Sequence, residues 1–139
     1  MAHVMIVDDD EDFASAAATC LRAAGHEVQI ELETSAALRS MTQRAPDLVI
    51  LDVMFPESSS AGFDLARQMR GASAKLTAVP VLMLTAVNQR FPLGFSARDI
   101  DDEWLPVHDF LEKPVDIETL RGKVAAMLGA AGARPPGSR

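Results

Sequence analysis

Apolar residues in this chain follow two rhythms that take turns. Continuous runs at Val4–Val7, Leu48–Leu51 and Val79–Leu84 have the length and composition of strands covered on both faces. Val28–Leu32 alternates sides as a shorter strand, and Asp109–Glu112 reads as the last one. Between them the spacing becomes helical: Phe13, Ala16, Ala17, Cys20, Leu21 and Ala24; then Leu38 and Met41; then Phe63, Leu65, Ala66 and Met69; finally Leu120, Val124, Met127 and Leu128. The punctuation agrees. Gly25 suits a helix C-terminal cap, Thr34 or Ser35 suits the N-cap of the second helix, Pro46 stops that helix, and Asp116 suits the cap of the closing one. Five strands and five helices in alternation predict an α/β fold: a doubly wound, five-stranded parallel sheet with right-handed crossovers and helices on both faces. The expected domain runs over 1–128. The tail 129–139, rich in Ala, Gly and Pro without periodicity, is expected to be disordered.

Composition narrows the function classes. The 139 residues carry a formal charge of −7, so no basic footprint for direct nucleic-acid binding is expected. The single cysteine, Cys20, rules out an intrachain disulfide and fits a reducing compartment; its place in the helical pattern suggests packing. Neither a signal peptide nor an apolar stretch of membrane-spanning length is visible, so a cytoplasmic protein without membrane attachment is expected.

The strand ends are where polar chemistry collects. Val4–Val7 ends at Asp8, Asp9 and Asp10; Leu48–Leu51 at Asp52; Val79–Leu84 at Thr85; and Phe110-Leu111-Glu112 at Lys113-Pro114. Ligands of open parallel sheets bind outside the carboxyl ends of the strands, so several carboxylates, a hydroxyl and an ammonium are expected at one edge. That set suits a hard cation such as Mg²⁺ and a phosphoryl group. Adjacent carboxylates in Asp8-Asp9-Asp10 repel and call for a cation, although negative charge also suits the start of a helix; Asp10, Glu11 and Asp12 fit that second role better. Asp52 is of a type that can form an aspartyl-phosphate, or can simply be a turn residue.

Taken together, Met5-Ile6-Val7-Asp8-Asp9-Asp10, Leu51-Asp52-Val53-Met54-Phe55-Pro56, Leu84-Thr85-Ala86 and Phe110-Leu111-Glu112-Lys113-Pro114 resemble the receiver domain of two-component response regulators, from His3 to about Leu128. The resemblance implies a flavodoxin-like (βα)5 fold with strand order 2-1-3-4-5. It implies that Asp52 accepts a phosphoryl group from a histidine kinase or a phosphotransfer protein. Asp8, Asp9, Asp52 and the backbone carbonyl of Met54 would hold Mg²⁺, and Thr85 and Lys113 would bind phosphate oxygens. Phe110 falls where the family places its switch aromatic. Such a chain is a phosphoacceptor rather than an enzyme, with at most self-phosphorylation and autodephosphorylation.

The chain also departs from the family. Its Ser58-Ser59-Ser60 loop and its 88–106 segment are longer than usual, and Pro92, Gly94 and Pro106 interrupt the region where the family has a helix. Phe91, Phe95 and Trp104 there suit either a partner surface or packing on the domain itself. The downstream protein partner is expected on this segment and on the face of the last strand and helix, with a homodimer as a further expectation. Met54 and Val87, both apolar, stand where the family tunes water access, which implies slow autodephosphorylation. The competing readings are a receiver-fold interaction module that works without phosphorylation, and a haloacid-dehalogenase-like phosphatase. Asp8 and Asp10 mimic that phosphatase's Asp-x-Asp, but Asp12 stands where it wants Thr or Val. An EF-hand is excluded by Phe13 at its turn glycine and Thr19 at its bidentate glutamate.

Overall fold

A computed structural model describes residues 2–52, 61–86, 109–113 and 115–132, with Phe63, Thr85, Ala86, Asp109, Phe110, Glu112, Lys113 and 130–132 followed through their backbone alone. In chain order the elements are β1 (His3–Val7), α1 (Glu11–Ala23), β2 (Glu27–Glu31), α2 (Thr34–Gln43), β3 (Leu48–Asp52), α3 (Ala61–Ala72), α4 (Ala74–Thr77), β4 (Val81–Ala86), β5 (Asp109–Lys113) and α5 (Ile117–Gly132). The sheet has five strands in the order β2-β1-β3-β4-β5, and every neighbouring pair is parallel. This is the doubly wound topology expected above.

Each central strand divides its side chains between two cores, because successive residues point to opposite faces. Val4 and Ile6, Leu48 and Ile50, and Leu82 and Leu84 pack beneath α1 and α5, with Ala14, Ala17, Ala18, Leu21, Leu120 and Val124. Met5 and Val7, Val49 and Leu51, and Val81 and Met83 pack beneath α2, α3 and α4, with Met41, Leu65, Met69 and Leu76. Full burial of such side chains stabilises by about 1.5–3 kcal/mol each. The methionines are unevenly shared. Met5, Met41, Met69 and Met83 all belong to the second core, while the first has only Met127, partly buried, among its described residues.

Local chemistry sets the helix ends. Asp10 Oδ1 accepts from the Phe13 N–H at 3.1 Å and caps α1; Asp116 Oδ2 accepts from the Thr119 N–H at 3.1 Å and caps α5. At the end of α1, the Gly25 N–H donates to Arg22 O and the His26 N–H to Leu21 O, the paired bonds of a Schellman cap. Gly25 has φ +98°, a conformation that a side chain disfavours. α2 is capped differently from the expectation. Glu33 holds the N-cap position without a side-chain bond, and Thr34 is already helical, so neither Thr34 nor Ser35 caps it.

Other expectations shift. The buried stripe of α1 is Ala14, Ala17, Ala18 and Leu21, whereas Ala16 is exposed and Cys20 half-buried; alanine is too small to mark a face from sequence. β2 lies one residue earlier than expected. β4 starts at Val81 rather than Val79, because the Val79 N–H is spent on Leu76 O at the end of α4 and Pro80 has none to give. α4, four residues long, was not foreseen, and it breaks the strict alternation. α5 continues past Leu128 to Gly132, so the first part of the expected tail is helical. Residues 133–139, the Ser58-Ser59-Ser60 loop, Met54, Val87 and the 88–106 segment lie outside the described residues.

Candidate functional site

Register assembles the polar strand ends. Val7 pairs with Leu51, so the next residues, Asp8 and Asp52, stand side by side. Asp52 pairs with Leu84, which puts Thr85 one step further along the same edge. Thr85 pairs with Glu112 and Ala86 with Lys113. The carboxyl ends of β1, β3, β4 and β5 therefore present Asp8, Asp52, Thr85 and Lys113 along one rim. The backbone settles that adjacency for Thr85 and Lys113. Phe110 lies within β5 opposite Met83.

Side chains define the β1–β3 part of the rim. Asp8 is 0% exposed and Asp52 7%, while Asp9 is exposed. Alternation continues Val4 and Ile6 to Asp8, and Leu48 and Ile50 to Asp52, so both acids lie toward the α1/α5 face. Oxygens of Asp8, Asp9 and Asp52 all lie within 4.8 Å of one another. Two buried carboxylates so placed repel strongly, and burial without compensation is costly. The donor set is three hard carboxylate oxygens, which suits Mg²⁺ or another hard divalent ion and not a soft metal.

Two contacts that sequence reasoning missed hold Asp8 in place. Its N–H donates to Glu31 O at 3.1 Å, tying β1 to the end of β2. Its Oδ1 accepts from the Asp10 N–H at 2.9 Å, the local i to i+2 bond that aspartates favour. Asp10 thus does more than supply the negative charge expected at the helix start: it caps α1 and also orients Asp8. An Asp followed two residues on by a helix cap is a readable signal for this. The Glu31 carbonyl has no sequence signature, since any residue supplies one. Glu31's side chain is fixed in turn, accepting from Gln29 Nε2 and from Ser40 Oγ on α2, each at 2.7 Å.

The chain matches the family model of the response regulator receiver domain over residues 4–125. It belongs to that family. Among similar proteins, PilH of Pseudomonas aeruginosa is 30% identical over 128 residues, covering 92% of this chain and 98% of PilH. The DNA-binding dual master transcriptional regulator RpaA of Synechocystis is also 30% identical over 128 residues, covering 92% of this chain but 49% of RpaA. The receiver domain spans about half the length of RpaA and of RegX3, the sensory transduction protein of mycobacteria. A putative response regulator from Chloroflexus aurantiacus has a solved structure with TM-score 0.74 and 30% identity, covering 92% of this chain and 98% of that one.

The function class follows. This is a receiver of two-component signal transduction, a signalling module rather than a member of a catalytic family. Receiver domains in general bind Mg²⁺ at an acidic pocket and take histidine kinases as partners. No helix among the described residues is long and apolar enough to cross a membrane.

Proposed function

We propose that Asp52 is the phosphoacceptor of this receiver domain, loaded by a histidine kinase or a phosphotransfer protein, and that the phosphorylated form exchanges protein partners. The observation that carries the reading is the meeting of Asp8, Asp9 and Asp52 within 4.8 Å at the ends of neighbouring strands. Those residues would hold Mg²⁺, with the backbone carbonyl of Met54 as a further ligand. The bound ion would supply positive charge where phosphoryl oxygens gather. Asp52 itself does the covalent work. One of its carboxylate oxygens attacks phosphorus, the bond from phosphorus to the donor histidine nitrogen breaks, and that nitrogen keeps the electron pair.

Lys113, at the end of β5, would offset the charge that the phosphoryl group brings, and the Thr85 hydroxyl would donate to one of its oxygens. Movement of Thr85 toward that oxygen would free room for Phe110 to turn, a two-state element biased by local charge. The readout would pass to the last strand and helix and to the 88–106 segment, where a downstream protein or a second copy of the chain would bind.

The test is to incubate the protein with Mg²⁺ and acetyl phosphate and measure its mass. The expected result is a gain of one phosphoryl group that is absent in Asp52→Ala. No gain, with beryllofluoride also failing to bind, would instead favour an interaction module that works without phosphorylation. Steady phosphate release from varied monoesters would favour a phosphatase.

A further inference from the structure

Asp8 is tied to a polar group on the face of the sheet that its own carboxylate does not occupy. That carboxylate lies toward the α1/α5 face. Gln29 and Glu31 pair with Met5 and Val7, which pack beneath α2, α3 and α4, so their side chains belong to the other face. There Glu31 Oε2 accepts from Gln29 Nε2 and from Ser40 Oγ of α2, each at 2.7 Å. A backbone rung joins the two faces: the Asp8 N–H donates to Glu31 O at 3.1 Å.

That rung sits where a sheet opens most easily. β2 is an edge strand with β1 as its neighbour, and Glu31 is its last residue. The next residue, Leu32, is 39% exposed and adds little packing. Strand ends with few buried contacts are the first to open. The Glu31 side chain supplies an anchor instead. Among the described residues no cation pairs with it, and its partners are the neutral amide of Gln29 and the neutral hydroxyl of Ser40. A hydrogen bond to a carboxylate is stronger than one between neutral groups. The bond from Ser40 crosses from the strand end to a helix whose Ala37 and Met41 are buried in the core, so it fastens a loose element to a firm one.

We propose that Ser40 is a positioning residue for the cluster of Asp8, Asp9 and Asp52, acting through Glu31. By fastening the end of β2 to α2 it holds the Asp8 main chain where the three carboxylates meet. The inference rests on the reading of that cluster as a Mg²⁺ site. Ser40 and the Asp8 carboxylate belong to opposite faces of the sheet, so the effect travels through the rung and not by contact with the ion. A partner that draws α2 away from β2 therefore weakens metal binding at the carboxyl edge.

The test is calorimetric titration of Mg²⁺ into the full chain as wild type, Ser40→Ala, Glu31→Ala, the double variant and Asp8→Asn. Ser40→Ala alters no charge and puts the best helix former into α2, so the variant folds. Removing a group that orients a metal ligand costs about 10–100-fold in affinity. Ser40 stands one bond further out, and its loss should raise the Mg²⁺ Kd about three- to tenfold. In the Glu31→Ala background the same change should have no further effect, because the hydroxyl has lost the group it acts through. An unchanged Kd in Ser40→Ala, beside a weakened Asp8→Asn, overturns the proposal and leaves the metal site standing, even if urea denaturation in EDTA shows lost stability. An equal loss of affinity in the Glu31→Ala background also overturns it. No Mg²⁺ binding by the wild type, or equal binding by Asp8→Asn, overturns the metal site and this proposal with it.

Discussion

Replacing Asp8 by Asn should make the metal-free protein more stable while removing most of its response to Mg²⁺. Asp8 and Asp52 are both buried, and their oxygens lie within 4.8 Å. Unit charges at that separation repel by about 3.5 kcal/mol at an effective dielectric of about 20, and by about 0.9 kcal/mol in bulk water. The Lys113 charge proposed for the same rim offsets part of this, so the expected gain is about 1–3 kcal/mol. The bond from the Asp10 N–H to Asp8 Oδ1 persists in a weaker form, because an Asn side-chain oxygen still accepts but without the carboxylate's charge.

Urea denaturation in EDTA gives the first number, and a rise in midpoint temperature of roughly 3 °C per kcal/mol should accompany it. The same experiments with Mg²⁺ at a hundredfold excess over its Kd should add about 2.7 kcal/mol to the wild type and much less to Asp8→Asn. A metal-free variant less stable than the wild type would refute the charge argument. Equal stabilisation of both proteins by Mg²⁺ would show that Asp8 is not a ligand.

Other expectations are simpler. Gly25→Ala meets no atom within 4 Å, so its cost is that of the left-handed backbone at φ +98°, about 1–2 kcal/mol, read by urea denaturation. Asp116→Ala should lose about 1 kcal/mol with the α5 cap, and Asp116→Asn should restore most of it. The phosphorylated protein should persist for minutes to hours, since Met54 and Val87 are apolar; a lifetime of seconds, measured by the decay of the phosphorylated mass, would contradict that.

Sequence was most informative where one residue type admits one environment. The unbroken runs at Val4–Val7 and Leu48–Leu51 read as buried strands, and the acids that follow them fall at the same ends of those strands; the contact among Asp8, Asp9 and Asp52 follows from that and from parallel register. Sequence was least informative where small or backbone groups decide. The α1 stripe was misread because Ala16 and Ala14 look alike to periodicity. α4 is too short to show a period at all, and its Ser73 cap is an ordinary loop residue in a linear reading. The Glu31 carbonyl that holds Asp8 is invisible for the same reason.

The sharing of methionine between the two cores has a mechanical consequence. An unbranched thioether changes rotamer more cheaply than a branched aliphatic chain and fills irregular space. The layer of α2, α3 and α4 rests on Met5, Met41, Met69 and Met83, whereas the layer of α1 and α5 rests largely on Val, Ile, Leu and Ala. The sheet is therefore clamped stiffly on one side and cushioned on the other. Small displacements of the helices should therefore be absorbed on the cushioned side, with little movement of α1 and α5.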